Sequence, residues 1–426
     1  MSVGECMQFK YLNIITIAIV AAIGAQTANA LPTFARQTGV SCGMCHNGNF
    51  AALTSFGRQF KLQGYVMSSE AKVEKTQSST DSRQLSLPTL PGLSAMMQIS
   101  MTHTKAGTSG TQNNAVKLPE QLSLFLAGRL TDKLGIFSQF TMTDTDKFGI
   151  DNTDIRYADN TQVGGKSLDY GFTLDNNPTV GDLWNSTPAW GFPYSGGTAD
   201  TAFVGSQGTS VVGVGSYGML DNQFYGKLAL YRSESAASTA TTGTPASNVL
   251  VNTAPYWRLA WQKNIGKGYL MLGTYGMSAR VMPAATTTPT GIGGPESKYL
   301  DTALDFQYEH PITDQSSLIT HGSYTREKRT DLDGSGNYSS GANTTWKFSK
   351  LDAQVNMGKF RPGIVWFNTN TGTDNADNTG YQLEMSYFPW ENIQVQALYS
   401  GYTKFGGTST KASGNNLASL QLWVML

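Results

Sequence analysis

From Gly92 onward apolar side chains recur at every second position, the period of a strand with one apolar face. Leu93, Ala95, Met97, Ile99 and Met101 alternate with Met96, Gln98, Ser100 and Thr102. Leu122, Leu124, Leu126 and Leu130 have Ser123, Ala127 and Arg129 on the other face. The pattern returns at Leu168-Tyr170-Phe172-Leu174, Trp257-Leu259-Trp261, Leu300-Leu304-Phe306-Tyr308 and Tyr381-Leu383-Met385-Tyr387, and again from Leu420 to Leu426. A strand tilted across a bilayer needs about 9–11 residues, and most of these segments approach that length. The connections between them alternate in length. Short ones fall near 131–133, 158–165, 219–222, 264–268, 311–315, 359–362 and 389–392. Long ones fall near 105–117, 144–149, 176–208, 233–254, 279–297, 328–341, 369–377 and 404–414. This rhythm predicts an all-β chain closed as an antiparallel outer-membrane barrel of about sixteen strands, with short periplasmic turns and long outer loops. A soluble β-sandwich, the competing architecture, does not predict it.

The chain before Gly92 follows other rules. Residues 1–30 read as a secretory signal: Lys10, an apolar run from Ile14 to Ile23, then Ala28-Asn29-Ala30 ahead of Leu31. Residues 31–67 form a small segment in which Leu53, Phe56, Phe60 and Gly64 recur at helical spacing, predicting a helix over 51–63. Such a module is too small to fold alone and needs shelter from a bound group or from the rest of the chain. Residues 68–91, rich in Ser, Thr, Lys, Glu and Gln, read as a linker to the barrel of residues 92–426.

Composition agrees with strands in lipid. Charged residues are 14% of the chain, against about 25% in soluble domains. Thirty basic and thirty acidic side chains balance to zero, which argues against nucleic acid as partner.

The candidate chemistry lies at Ser41-Cys42-Gly43-Met44-Cys45-His46. This is C-x-x-C-H, the attachment pattern of a c-type haem. Each thiol can bond one haem vinyl group, and His46 can serve as proximal iron ligand. The chain has three cysteines; Cys6 falls within the signal, which leaves Cys42 and Cys45. A redox dithiol is the main alternative, and a structural zinc site a weaker one. Arg58 and Lys61 are either partners of haem propionates or solvated. The sixth ligand is open, with Met44, Met67, Met96, Met97, His103 and a water-bound position all conceivable; His310 and His321 read as structural. If the apolar face meets lipid, Arg129, Asp154, Arg156, Asp169, Asp175, Lys227, Arg258, Asp301, Asp305, Glu309 and Glu384 line the lumen, as an ordinary polar lining or as groups that position a haem or attract a cation. The aromatic, proline-rich loop 176–194 either folds into the barrel mouth to wall off the haem or acts as a packing constriction.

Two stretches, LPTFARQTGVSCGMCHNGNFAALTSFGRQFKLQGY and NNPTVGDLWNSTPAWGFPY, resemble the fused monohaem cytochrome–porin family of outer-membrane iron-oxidising cytochromes. The likeness is most specific at Phe34–Gly39, Cys42–His46 and Phe56-Gly57-Arg58. It implies one covalent haem c, Fe(II) as electron donor, a periplasmic c-type cytochrome as acceptor, and a haem segment entering an outer-membrane barrel from the periplasmic side. The activity implied is one-electron Fe(II) oxidation with His46 at its centre. The same architecture would also serve outward electron flow to an extracellular acceptor, or a diffusion porin with an accessory haem.

Overall fold

The computed structural model describes residues 31–46, 53–69, 91–107, 113–142, 148–185, 202–206, 211–233, 250–281, 296–332, 338–372 and 377–426. The expected signal, most of the linker, residues 47–52 and the second half of the aromatic loop lie outside them. Three short helices come first: α1 (Pro32–Thr38), α2 (Cys42–Cys45) and α3 (Ser55–Leu62). The helix expected over 51–63 is thus α3, and it starts later because Thr54 caps it, accepting a hydrogen bond from the Gly57 amide on its side chain.

The described residues then form sixteen strands: β1 (Gly92–Thr104), β2 (Val116–Arg129), β3 (Leu134–Met142), β4 (Phe148–Val163), β5 (Lys166–Asp175), β6 (Val211–Leu220), β7 (Phe224–Ser233), β8 (Ala254–Ile265), β9 (Gly268–Val281), β10 (Ser297–Thr313), β11 (Ser316–Leu332), β12 (Tyr338–Met357), β13 (Phe360–Asn370), β14 (Asn378–Trp390), β15 (Ile393–Lys404) and β16 (Leu417–Met425). Each pairs with its sequence neighbours, and β1 pairs with β16 antiparallel from Met96↔Met425 to Thr104↔Leu417, closing the barrel. Closure leaves no unpaired edge, the condition for a sheet to stand in lipid. The short connections narrow to tight turns, several made by residues with positive φ such as Gly164, Gly165 and Gly266. The turn expected over 359–362 sits at Gly358-Lys359, because β13 already begins at Phe360.

Period two holds around the ring. Leu93, Leu124, Phe172, Leu228, Leu259, Leu304, Ile364 and Leu420 are exposed on the outer face, while Ser123, Ala127, Asp154, Arg258 and Gln421 are buried on the inner one. The barrel's closure and this outward apolar belt make it a porin-type barrel of the bacterial outer membrane. Strands β10, β11 and β12, of 17, 17 and 20 residues, exceed the membrane requirement and raise one wall at the long-loop rim.

Candidate functional site

The N-terminal segment lies inside the barrel, held at the short-turn end. Its side chains explain why the stretch reads as it does. Phe34 on α1 packs edge-on against Phe60 and stacks on Tyr65, with ring centroids 4.9 and 5.4 Å apart. Gln37 donates from Nε2 to the carbonyls of Tyr65 and Met67, and its Oε1 accepts from the Arg129 amide on β2. Gly39 ends α1 in the left-handed region, φ 71°. On the other flank the Thr33 hydroxyl donates to the Ala127 carbonyl, and its amide donates to Ser94 Oγ.

Two glycines permit backbone-to-backbone approach. A Cβ at Gly57 would stand 2.2 Å from the Cys45 carbonyl oxygen, so α3 lies directly on the C-x-x-C turn. A Cβ at Gly135 of β3 would stand 2.0 Å from the Gly64 carbonyl, so the segment lies directly on the wall.

Cys42 and Cys45 occupy one turn of α2, both buried and both present as thiols, with His46 the next residue. The Cys42 amide donates to Glu391 in the β14–β15 turn at 3.0 Å. Burial pushes the Cys45 thiol up to about 11. Gly43 has open space around its Cα, and Met44 is half exposed.

Arg58 and Lys61 are not solvated. Arg58 Nη1 meets Glu309 Oε1 at 2.6 Å and donates to the Leu53 carbonyl, while its guanidinium lies over the Tyr269 ring. Its Nη2 is buried with no hydrogen-bond partner among the described residues. Lys61 Nζ donates to the Asp182 carbonyl at 2.6 Å and to Asn185 Oδ1 at 3.1 Å. Burial, reinforced by the Arg156 guanidinium, pushes its ammonium down to about 7.

The wall supplies a buried charge network around the segment. Arg156 pairs with Asp154 at 2.6 Å, and donates to the carbonyls of Lys61 and Gly181. Tyr65 donates to Asp154 Oδ2, and Tyr217 donates to the Leu62 carbonyl. Lys227 pairs with Asp175, and Arg258 grips Asp305 through both Nη atoms. The expected lumenal charges are therefore distributed unevenly. Asp154, Arg156, Asp175, Lys227, Arg258, Asp305 and Glu309 join this network. Asp301 lies nearer the outer rim, where it and Glu327 accept the Val204 and Phe203 amides. Glu384 sits apart on β14 between Gln354 and Gln396, while Arg129 and Asp169 are half buried near the short turns.

The aromatic loop folds inward as far as it is described. Leu183 and Trp184 are each 1% exposed, and Trp184 donates to the Tyr269 hydroxyl. Of the sixth-ligand candidates, Met97 and His103 belong to the outward set of β1, and His103 meets Asn114 at the far rim; the structure removes both. Met96 is buried in the lumen in a cluster that Leu31 packs against. His321 faces Asp352, and His310 lies beside Tyr308. Residue patterns did not single out Tyr65, Tyr217 or Glu391, and marked Gln37 only as part of the stretch Phe34–Gly39. Each acts through a partner far away in sequence, and only the glycine in Phe56-Gly57-Arg58 left a local sign.

The donor set fits a haem c. Two thiols share one helical turn, the histidine follows directly, and the buried Arg58 Nη2 is a donor suited to an acidic substituent.

No protein-family model and no curated protein matches the chain. Solved structures similar to it include a loop L8 deletion mutant of OmpT, an outer membrane protein of Vibrio cholerae, 10% identical over 79% of this chain and 98% of that one, TM-score 0.47. The outer membrane channel DcaP of Acinetobacter baumannii is 12% identical over 79% and 96%, TM-score 0.47. Salmonella typhi OmpF, in complex with daunomycin, is 12% identical over 79% and 97%, TM-score 0.47.

Proposed function

We propose that this barrel is an electron-transfer protein of the fused cytochrome–porin kind, oxidising extracellular Fe(II) one electron at a time and delivering the electrons to a periplasmic c-type cytochrome. The observation that carries the reading is the pair of buried thiols on one turn of α2, followed by His46, inside a closed membrane barrel. Cys42 and Cys45 would hold one haem c through thioether bonds, and His46 would ligate its iron. Such a group supplies a one-electron couple whose potential depends on ligation and burial. The chain's own residues do the rest. Phe34, Phe60 and Tyr65 pack the segment, Leu183 and Trp184 are buried beside it, and Arg58 presents the buried Nη2 donor. Glu309 and Asp154 anchor that segment to the wall.

The test is a pyridine haemochrome spectrum of the purified protein, followed by anaerobic mixing with Fe(II). A covalent c-type spectrum and its reduction within seconds are expected; Cys42→Ala, Cys45→Ala and His46→Ala should each abolish the reduction. Protein that matures without covalent haem would refute the reading. A diffusion porin is the second reading. It is favoured by the polar inner wall of β14–β16, where Gln382, Ser386, Gln394, Ser400 and Gln421 face inward around Glu384. It predicts ion conductance and no response to Fe(II).

A further inference from the structure

Five cations gather on the outside of the raised wall. Arg280 on β9, Lys298 on β10, Arg326 and Lys328 on β11 and Lys347 on β12 are all exposed and share the outward parity of Leu300 and Leu304. The registers bring them together. Lys298 stands directly opposite Arg280, Arg326 directly opposite Lys347, and Lys328 opposite Leu300. Like charges directly opposite across strands repel. Arg280 has Glu296 as its partner. Among the described residues, Lys298, Arg326, Lys328 and Lys347 have no acidic group in ion-pair range. A cleft of about 670 Å³ opens beside Arg280, Lys298 and Lys328, lined also by Leu300, Thr330 and Thr345.

The level of this patch is informative. It lies at the long-loop end, and the next outward residues toward the short turns are Leu304 and Tyr324, 63% and 41% exposed. Positive charge therefore stands directly above the apolar belt, where headgroups meet acyl chains. At the same end the exposed outward residues of β4 and β6 are apolar, Phe148, Ile150, Val212 and Val214, while β7 carries one further exposed cation, Arg232.

We propose that this face binds a phosphorylated glycolipid of the outer leaflet. Its phosphates would lie among the five cations and its acyl chains along Leu304 and Tyr324. The phosphates neutralise the cross-strand repulsion, and Arg326 and Arg280 add forked donors suited to phosphate oxygens. The hydroxyl of Thr345 extends the donor set.

The test uses the full-length protein in detergent, titrated with rough-type lipopolysaccharide carrying its lipid A phosphates. The dephosphorylated lipid and inorganic phosphate serve as comparisons, and binding is read by microscale thermophoresis. The combined variant Lys298→Gln, Arg326→Gln, Lys328→Gln, Lys347→Gln should bind about tenfold or more weakly, and so should the dephosphorylated lipid to the unchanged protein. Wild-type affinity should fall as salt rises, which keeps the test decisive if the combined variant fails to fold. Lys298→Arg with Lys328→Arg should retain binding. Equal binding of phosphorylated and dephosphorylated lipid would overturn the proposal. So would displacement of the lipid by millimolar inorganic phosphate, which would mark a site for free anions.

Discussion

Gly57 shows how a missing side chain sets the geometry of the candidate site. Any Cβ there meets the Cys45 carbonyl, which is backbone and cannot swing aside. Gly57→Ala should therefore lift α3 off the C-x-x-C turn at an overpacking cost of about 1–3 kcal/mol. The expected outcome is a lower urea midpoint for release of the segment. Gly43→Ala, with nothing within 4 Å of the added carbon, should leave that midpoint unchanged or raise it. Arg258 makes the complementary case for charge. It holds Asp305 at 2.5 and 2.8 Å and reaches Asp182 at 3.3 Å, all of them buried. Arg258→Met strands two buried carboxylates, which should cost about 3–5 kcal/mol in barrel stability. The double change Arg258→Met, Asp305→Leu should recover much of it, because an apolar pair leaves only Asp182 to be re-satisfied. Such partners explain the limits of sequence reading at this scale. The parity of Arg258 and Asp305 was legible as inward, but their pairing joins positions 47 apart and left no local pattern.

At the scale of elements, strands were read well and contacts between the segment and the wall were not. Alternation fixes which face a strand shows, and turn residues fix where it stops, so β1 begins at Gly92 as expected and the long–short rhythm survives. Helical spacing likewise placed α3. What spacing cannot carry is which carbonyl Lys61 meets, since Asp182 lies on a loop more than a hundred residues later. That contact joins α3 to the aromatic loop and makes their docking sensitive to pH. An unfolded lysine holds its proton until about pH 10.4, whereas the buried one releases it near 7. Between these values the undocked state binds more protons, so docking strengthens as pH rises; below pH 7 the full cost of burying the charge is present. Hydrogen exchange of the α3 amides, corrected for intrinsic rate, should show protection growing by up to about tenfold per pH unit above pH 7. Lys61→Met should flatten that slope.

At the scale of the molecule, the lumen decides between an electron-transfer protein and a sieve. Residues 31–46 and 53–69 and the loop through Trp184 occupy it from opposite ends and meet at Lys61. Deleting residues 31–69 should raise single-channel conductance several-fold in planar bilayers; an unchanged conductance would mean that the segment does not obstruct the bore. The segment also touches distant parts of the ring. Thr33 is fastened to β1 and β2, whereas Arg58 is fastened to β10. In a ring of sixteen, β2 and β10 are eight strands apart and so diametrically opposed. The packed helices α1 and α3 thus act as a cross-brace. An unbraced cylinder can flatten into an ellipse by bending every strand pair slightly, without breaking any ladder hydrogen bond. This one resists flattening along the braced diameter, because that deformation must compress or stretch a packed helix pair.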